Sequence, residues 1–166
     1  MLHTLYADAD VPQEVRRRIL EASVRAPQDW HPDAISSAYA SDDETWKLTA
    51  VFCMRFVRGF DEQILAALDS GNPEIHYEAV CAAGNWEVAA AWPHIAALVT
   101  SGETDKPLLL AAIEAVASIR PQEAAETLLD LTDADDEDIA EAAYDAMAMA
   151  RGLSGEEDDE DDASRH

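Results

Sequence analysis

PLLLAAIEAVASIRPQEAAETLLDLTDADDEDIAEAAYDAMAMAR, residues 107–151, decides how the rest of the chain is read. It holds a helix rich in small residues, a turn at Pro121, a second helix ending in Leu-Leu-Asp-Leu, an acidic loop, and the small-residue helix again. Setting Leu108 on Ile139 puts Ala112 on Ala143, Ala115 on Ala146 and Val116 on Met147. An internal repeat of helix pairs is the mark of a solenoid, in which no pair buries its apolar face alone and each leans on the next.

Working outward, the same unit recurs toward the N-terminus. The leading apolar residues of the first helices are Val15, Trp46, Ile75, Leu108 and Ile139, spaced 31, 29, 33 and 31 residues apart. Those of the second helices are Ile35, Ile64, Ile95 and Leu128. Start and stop signals agree. Asp10, with Pro12 and Glu14, begins the first helix with the stripe Val15, Ile19, Ala22 and Ser23, and Asp42 and Asp43 cap the third. Asn72-Pro73-Glu74 starts the fifth, Gly84-Asn85 ends it, and Pro93 opens the sixth. Trp46 and Trp86 read as core. The expectation is an all-α, right-handed α-solenoid of about four and a half helix pairs over residues 10–152, preceded by a cap segment, 1–9. Gly152 to Gly155 reads as a flexible break. Residues 156–162 are seven consecutive carboxylates, so 153–166 is expected to be a disordered acidic tail.

Charge limits the function. The chain has 166 residues, 35 of them Asp or Glu against 11 Lys or Arg, for a net charge of −24. Without the acidic run and Arg165 the balance is ten basic against 28 acidic residues, or −18, so the acidity belongs to the whole surface. Such a field repels phosphate backbones and anionic lipid and attracts basic surfaces. Solubility accounts for such an acidic surface more simply than a dedicated partner does, and adaptation to high salt is a further reading. Cys53 and Cys81, each in an apolar helical context, read as buried free thiols of a reducing compartment. No stretch approaches the apolar length of a membrane span, and a cytoplasmic location is expected.

The stretches 72–98 and 131–147 resemble HEAT-like repeats of the short type grouped with phycobilisome lyases. Leu131, Asp133, Ile139, Ala143 and Met147 fill most of that pattern, Gly84 matches its helix-ending glycine and Pro93 its second-helix proline. The family's basic residue after the leading apolar position is present as Arg16 and Lys47, becomes His76, and is replaced by Leu109 and Ala140. The resemblance implies packing more than activity. The family's di-iron hydroxylases need His-Glu pairs, which this chain lacks, and its DNA glycosylases need a basic face. The acidic run Asp133 to Asp138 has Asp138 and Tyr144 where a calcium loop needs Gly and Glu, so it reads as a helix cap.

What remains is a binding surface, with no cofactor and no metal expected. The resemblance implies that second helices line a concave face, where Trp30, His31, Glu62, Trp92 and His94 are the candidate partner contacts. The expected function is a non-catalytic adaptor for a basic protein partner, binding neither nucleic acid nor membrane. The alternatives are a phycobilin-lyase-like subunit and an acidic, immunity-like antagonist of a nucleic-acid-binding protein. Helix 139–151 has no second helix after it to cover Tyr144, Ala148 and Met149, so that face is either tolerated as a small patch or marks self-association or a docking edge.

Overall fold

The structure, a computed structural model, describes residues 2–154. The acidic run 156–162 lies outside the described residues. Ten α-helices follow one another: α1 (Leu2–Ala7), α2 (Gln13–Ser23), α3 (His31–Tyr39), α4 (Glu44–Met54), α5 (Asp61–Leu68), α6 (Pro73–Asn85), α7 (Trp92–Thr100), α8 (Lys106–Ile119), α9 (Pro121–Leu128) and α10 (Glu137–Ser154). Short 3₁₀ turns at Ala89–Ala91 and Leu129–Asp133 lead into α7 and out of α9. No strand occurs among the described residues.

The repeat register holds to the residue for the first helices. Val15, Trp46, Ile75, Leu108 and Ile139 are each the third residue of α2, α4, α6, α8 and α10. Among the second helices, Ile64 and Ile95 are each the fourth residue, and both are fully buried. Leu128 is out of register. It ends α9, and the fourth position there belongs to buried Ala124. Both Ala124 and Leu128 are buried, and the larger Leu128, one turn downstream, carries the stronger apolar signal.

Contacts divide the chain into two compact units, residues 1–82 and 83–166. In the first, α1 packs on α2, α2 and α3 pack on α4, and α4 meets α5. Its core includes Leu20, Val24, Ile35, Met54, Val51 and Ile64. In the second, α7 packs on α8 and α9, and α10 closes on both α8 and α9. That core is built from Ala111, Ala112, Ile113, Ala115, Val116 and Ala117 of α8, met by Ala124, Leu128, Ala143 and Ala146. Within each unit, helix pairs therefore stack on their neighbours in chain order, the packing of an α-solenoid.

Small residues in the second unit have a geometric cause. A Cβ placed on Gly84 would lie 3.1 Å from the Ala115 Cα and 3.2 Å from its Cβ, so α6 and α8 meet backbone to backbone there. Glycine serves close approach, and it sits one residue before the end of α6 rather than at the turn.

Several local expectations change. Asp10 does not cap α2. Its backbone N–H donates to the Asp8 carboxylate at 2.9 Å, and Pro12 occupies the cap position. The inward stripe of α2 is Leu20 and Val24, while Val15 is 45% exposed, because only the C-terminal half of this first-layer helix is well covered. Helix α4 ends at Met54, ahead of Gly59, whose φ of 105° turns the chain toward α5. Residues 152–154 continue α10 and form no break. Asp43 and Asn72 cap as expected, accepting from the N–H groups of Thr45 (2.8 Å) and Glu74 (2.9 Å). Cys53 is buried, and burial pushes its thiol well above the ordinary range. Cys81 is only half-buried.

Between layers runs a polar ladder that the apolar pattern does not reveal. The first residue of a first helix reaches the opening turn of the next first helix. Trp46 Nε1 donates to Gln13 Oε1 at 3.4 Å, and Asn72 Nδ2 donates to Glu44 Oε2 at 2.7 Å. Lys106 Nζ donates to Asp138 at 2.7 Å and to Asp136 at 2.9 Å. Deeper in the first unit, Thr49 Oγ1 donates to Glu21 at 2.6 Å and Arg55 to Glu78 at 2.9 Å.

Candidate partner-binding site

Second-helix starts are where exposed backbone N–H groups and the expected partner contacts coincide. Trp30 precedes α3 and His31 opens it, Glu62 is the second residue of α5, and Trp92 and His94 are the first and third residues of α7. The first three belong to the first unit, the last two to the second.

His31 is not a surface contact. It is fully buried, and its two ring nitrogens are occupied: Gln28 N–H reaches Nδ1 at 2.7 Å, and Nε2 lies 2.9 Å from Ser23 Oγ. A Ser–His pair at that distance has the spacing of a nucleophile and its base. The tautomer argues against it. Nδ1 accepts from a backbone N–H, so Nε2 carries the proton and donates to Ser23, leaving no lone pair to take a proton from the hydroxyl. Ser23 Oγ in turn donates to the Leu20 carbonyl at 3.3 Å. Burial holds the imidazole below its ordinary pKa. His31 ties the end of α2 to the start of α3.

Trp30 is half-buried and already engaged. The His3 ring stacks on it at 4.8 Å and 7°, Tyr6 lies at 5.3 Å, and His31 stacks at 4.0 Å from below. Trp30 thus anchors α1, a helix that the reading of residues 1–9 as a cap segment leaves unspecified. Tyr6 continues the cluster edge-on to Trp46 at 6.3 Å, and the Arg16 guanidinium stands 5.4 Å from the Tyr6 ring and 5.9 Å from that of Trp46. Arg16 Nε donates to the Tyr6 carbonyl at 2.6 Å. Trp46 is therefore half-exposed beside a shallow pocket of about 210 Å³ shared with Tyr6, Gln13 and Ser41, and is no core residue. Trp86 is likewise half-buried.

Glu62 and Asp61 stand exposed at the start of α5, beside Arg58 and Gln63 around an open pocket of about 380 Å³. Trp92 is half-buried, with the Arg120 guanidinium 5.4 Å from its ring. Arg120, just ahead of α9, also pairs with Glu123 at 3.5 Å. His94 is half-buried one position past Pro93. Arg120 was not among the expected contacts. Its one sequence signal is the Arg-Pro step at the α8–α9 turn, which puts its side chain at a second-helix start.

The acidic loop before α10 acts as a cap and an ion-pair acceptor. Asp136 accepts from the Asp138 N–H at 2.9 Å, and Lys106 holds the Asp136 carboxyl below its usual range. Among the described residues, no group of His, Cys, Asp and Glu is placed to hold a metal ion, and no helix is long and apolar enough to cross a membrane.

Compared with known proteins, residues 62–148 match the family of HEAT repeats, from the second residue of α5 into α10. No curated protein matches the chain. HEAT repeats generally serve as protein-interaction scaffolds. With more than half its length matched and its helix pairs stacked in register, the chain belongs to the HEAT-repeat family.

Proposed function

We propose that this protein is a non-catalytic adaptor that binds a basic protein partner along its second-helix starts. One observation carries the reading: without the acidic run and Arg165 the chain keeps a charge of −18, while several of its few basic side chains are engaged within the molecule. Lys106 serves Asp136 and Asp138, Arg55 serves Glu78, Arg120 serves Glu123 and the Trp92 ring, and Arg16 serves Tyr6. Carboxylates such as Asp61 and Glu62 stay exposed at a helix start, where a partner's Lys or Arg can reach them. Trp92, with Arg120 against it, supplies an aromatic and guanidinium pair of the kind that dominates binding energy in interfaces. The negative field speeds encounter with a basic surface and makes it sensitive to salt.

The test is affinity capture from the native host with the full chain, at about 0.05 M and about 0.5 M salt, which changes the screening length several-fold. The expected catch is one or a few basic proteins, reduced at high salt and reduced by D61N/E62Q and by W92A. Equal recovery at both salts and with both variants would overturn the reading.

A further inference from the structure

Trp30 is held as a platform. Its indole Nε1 donates to Gln28 Oε1 at 3.2 Å, and its ring lies on the buried imidazole of His31 at 4.0 Å. His31 is fixed in turn by Gln28 and Ser23, so the indole has little freedom to turn. A second imidazole, that of His3, stacks on Trp30 with ring centroids 4.8 Å apart and planes only 7° from parallel. The two histidines differ in burial. His31 is fully buried, whereas His3 is exposed and is carried by α1, a helix with no buried residue. Beside the His3 stack lies an open pocket of about 640 Å³, lined by His3, Gln28, Asp29 and Trp30, with Asp29 exposed.

An indole face with a carboxylate at its edge suits a flat cation. The ring attracts the charge through its quadrupole, and the carboxylate accepts the N–H groups. A guanidinium is planar and stacks parallel to an aromatic ring, which is the arrangement that the His3 imidazole adopts. An ammonium is a compact point charge and gains less from a parallel plane. His3 therefore stands where a guanidinium would stand. We propose that Trp30 and Asp29 form an arginine-binding subsite, which takes an Arg side chain of the basic partner, and that His3 fills it as an internal stand-in until displaced. The partner that supplies this Arg rests on the adaptor reading, whereas the affinity of the subsite for a guanidinium does not.

Displacement asks little of the fold. Helix α1 has six residues, none of them buried, and its Leu2 and Leu5 stand 47% and 44% exposed. What ties it down is the His3 stack, the rings around Tyr6, and the bond from Arg16 to the Tyr6 carbonyl. Segments held by so few buried contacts open locally while the rest of a protein stays folded. While His3 lies on the ring, the apparent affinity for a guanidinium falls by the fraction of molecules in which the ring is free.

The test follows the Trp30 indole N–H of the full chain by nuclear magnetic resonance during titration with Nα-acetyl-arginine amide. Nα-acetyl-lysine amide, which carries the same charge, controls for attraction by the acidic field alone. Loss of one indole signal in W30F identifies that of Trp30, and circular dichroism checks that H3A and D29N, both at exposed positions, stay helical. The arginine probe is expected to shift the Trp30 signal at several-fold lower concentration than the lysine probe. H3A is expected to tighten arginine binding by the reciprocal of the free-ring fraction, and D29N to weaken it. An equal response to the two probes overturns the proposal, as does arginine binding that H3A leaves unchanged or weakens, or that D29N leaves unchanged. Salt-sensitive capture of a partner without arginine preference at Trp30 defeats the subsite and leaves the adaptor standing. Arginine binding without a captured partner does the reverse, so the two readings fail separately.

Discussion

The two units solve one packing problem with different chemistry. Residues 1–82 carry seven Lys or Arg against fourteen Asp or Glu, and they join their layers through side chains. Arg55 lies 5.6 and 5.8 Å from the rings of Phe52 and Phe56, Arg25 approaches the same pair, and Glu78 takes the Arg55 guanidinium. Burial pushes the Glu78 carboxyl up, and Arg55 draws it partly back. Residues 83–154 carry three basic against fourteen acidic residues; beside the Lys106 link to Asp136 and Asp138, they rely on small residues, with α6 and α8 in backbone approach at Gly84 and Ala115. The difference teaches that a repeat fixes where helices meet, while composition decides whether they meet through long polar arms or through bare backbone.

The comparison breaks most sharply at Ala115. An A115L variant puts a branched side chain where Gly84 has already brought α6 into contact, and overpacking of this kind costs about 1–3 kcal/mol. Urea unfolding should show that loss, and hydrogen exchange should quicken within 83–154. Unchanged stability would mean that the crossing yields more readily than its 3.1 Å spacing allows.

In the first unit the matching cut is R55A. It removes an ion pair whose partners keep some solvent contact, together with two ring contacts, so about 1 kcal/mol is expected. R55K should recover part of it, because a point charge restores attraction to Glu78 without the flat face offered to Phe52.

The smallest effect is on pH dependence. Burial lowers the His31 pKa, so the unfolded chain takes up the proton first as pH falls. The stability His31 contributes is therefore complete above about pH 6.5 and declines below it, toward the depressed folded-state value. Melting temperatures at neutral and mildly acidic pH should show a decline that H31Q flattens. A steeper decline in H31Q would mean that the folded protein favours the protonated ring and would overturn the assigned direction.

Much of the fold was legible because the second unit follows its period closely. Ala112, Ala115, Ala143 and Ala146 recur at 31 residues and are all buried. The family match likewise begins at residue 62 and leaves α1 to α4 outside it. Of the five leading residues, only Ile75 is buried; Trp46, Leu108 and Ile139 are half-buried and Val15 is exposed, so the register holds along the chain while burial varies. Position along a helix follows from spacing, whereas burial depends on whether a neighbour exists.

The candidate site was less legible for a related reason. Trp30 and His31 lie at a second-helix start, yet one anchors α1 and the other bonds Ser23 across the α2–α3 turn. Which side chains a turn consumes internally is decided by its few hydrogen bonds, and these leave no periodic trace.

The ladder of opening residues ties every layer it joins only to the one beside it, as Gln13 to Trp46, Glu44 to Asn72 and Lys106 to Asp138. Chain length is consequently a free variable for such a protein. A duplicated period would arrive with its own donor and its own acceptor, so inheritance could lengthen or shorten the molecule by whole turns of the pattern without rewriting what was already there.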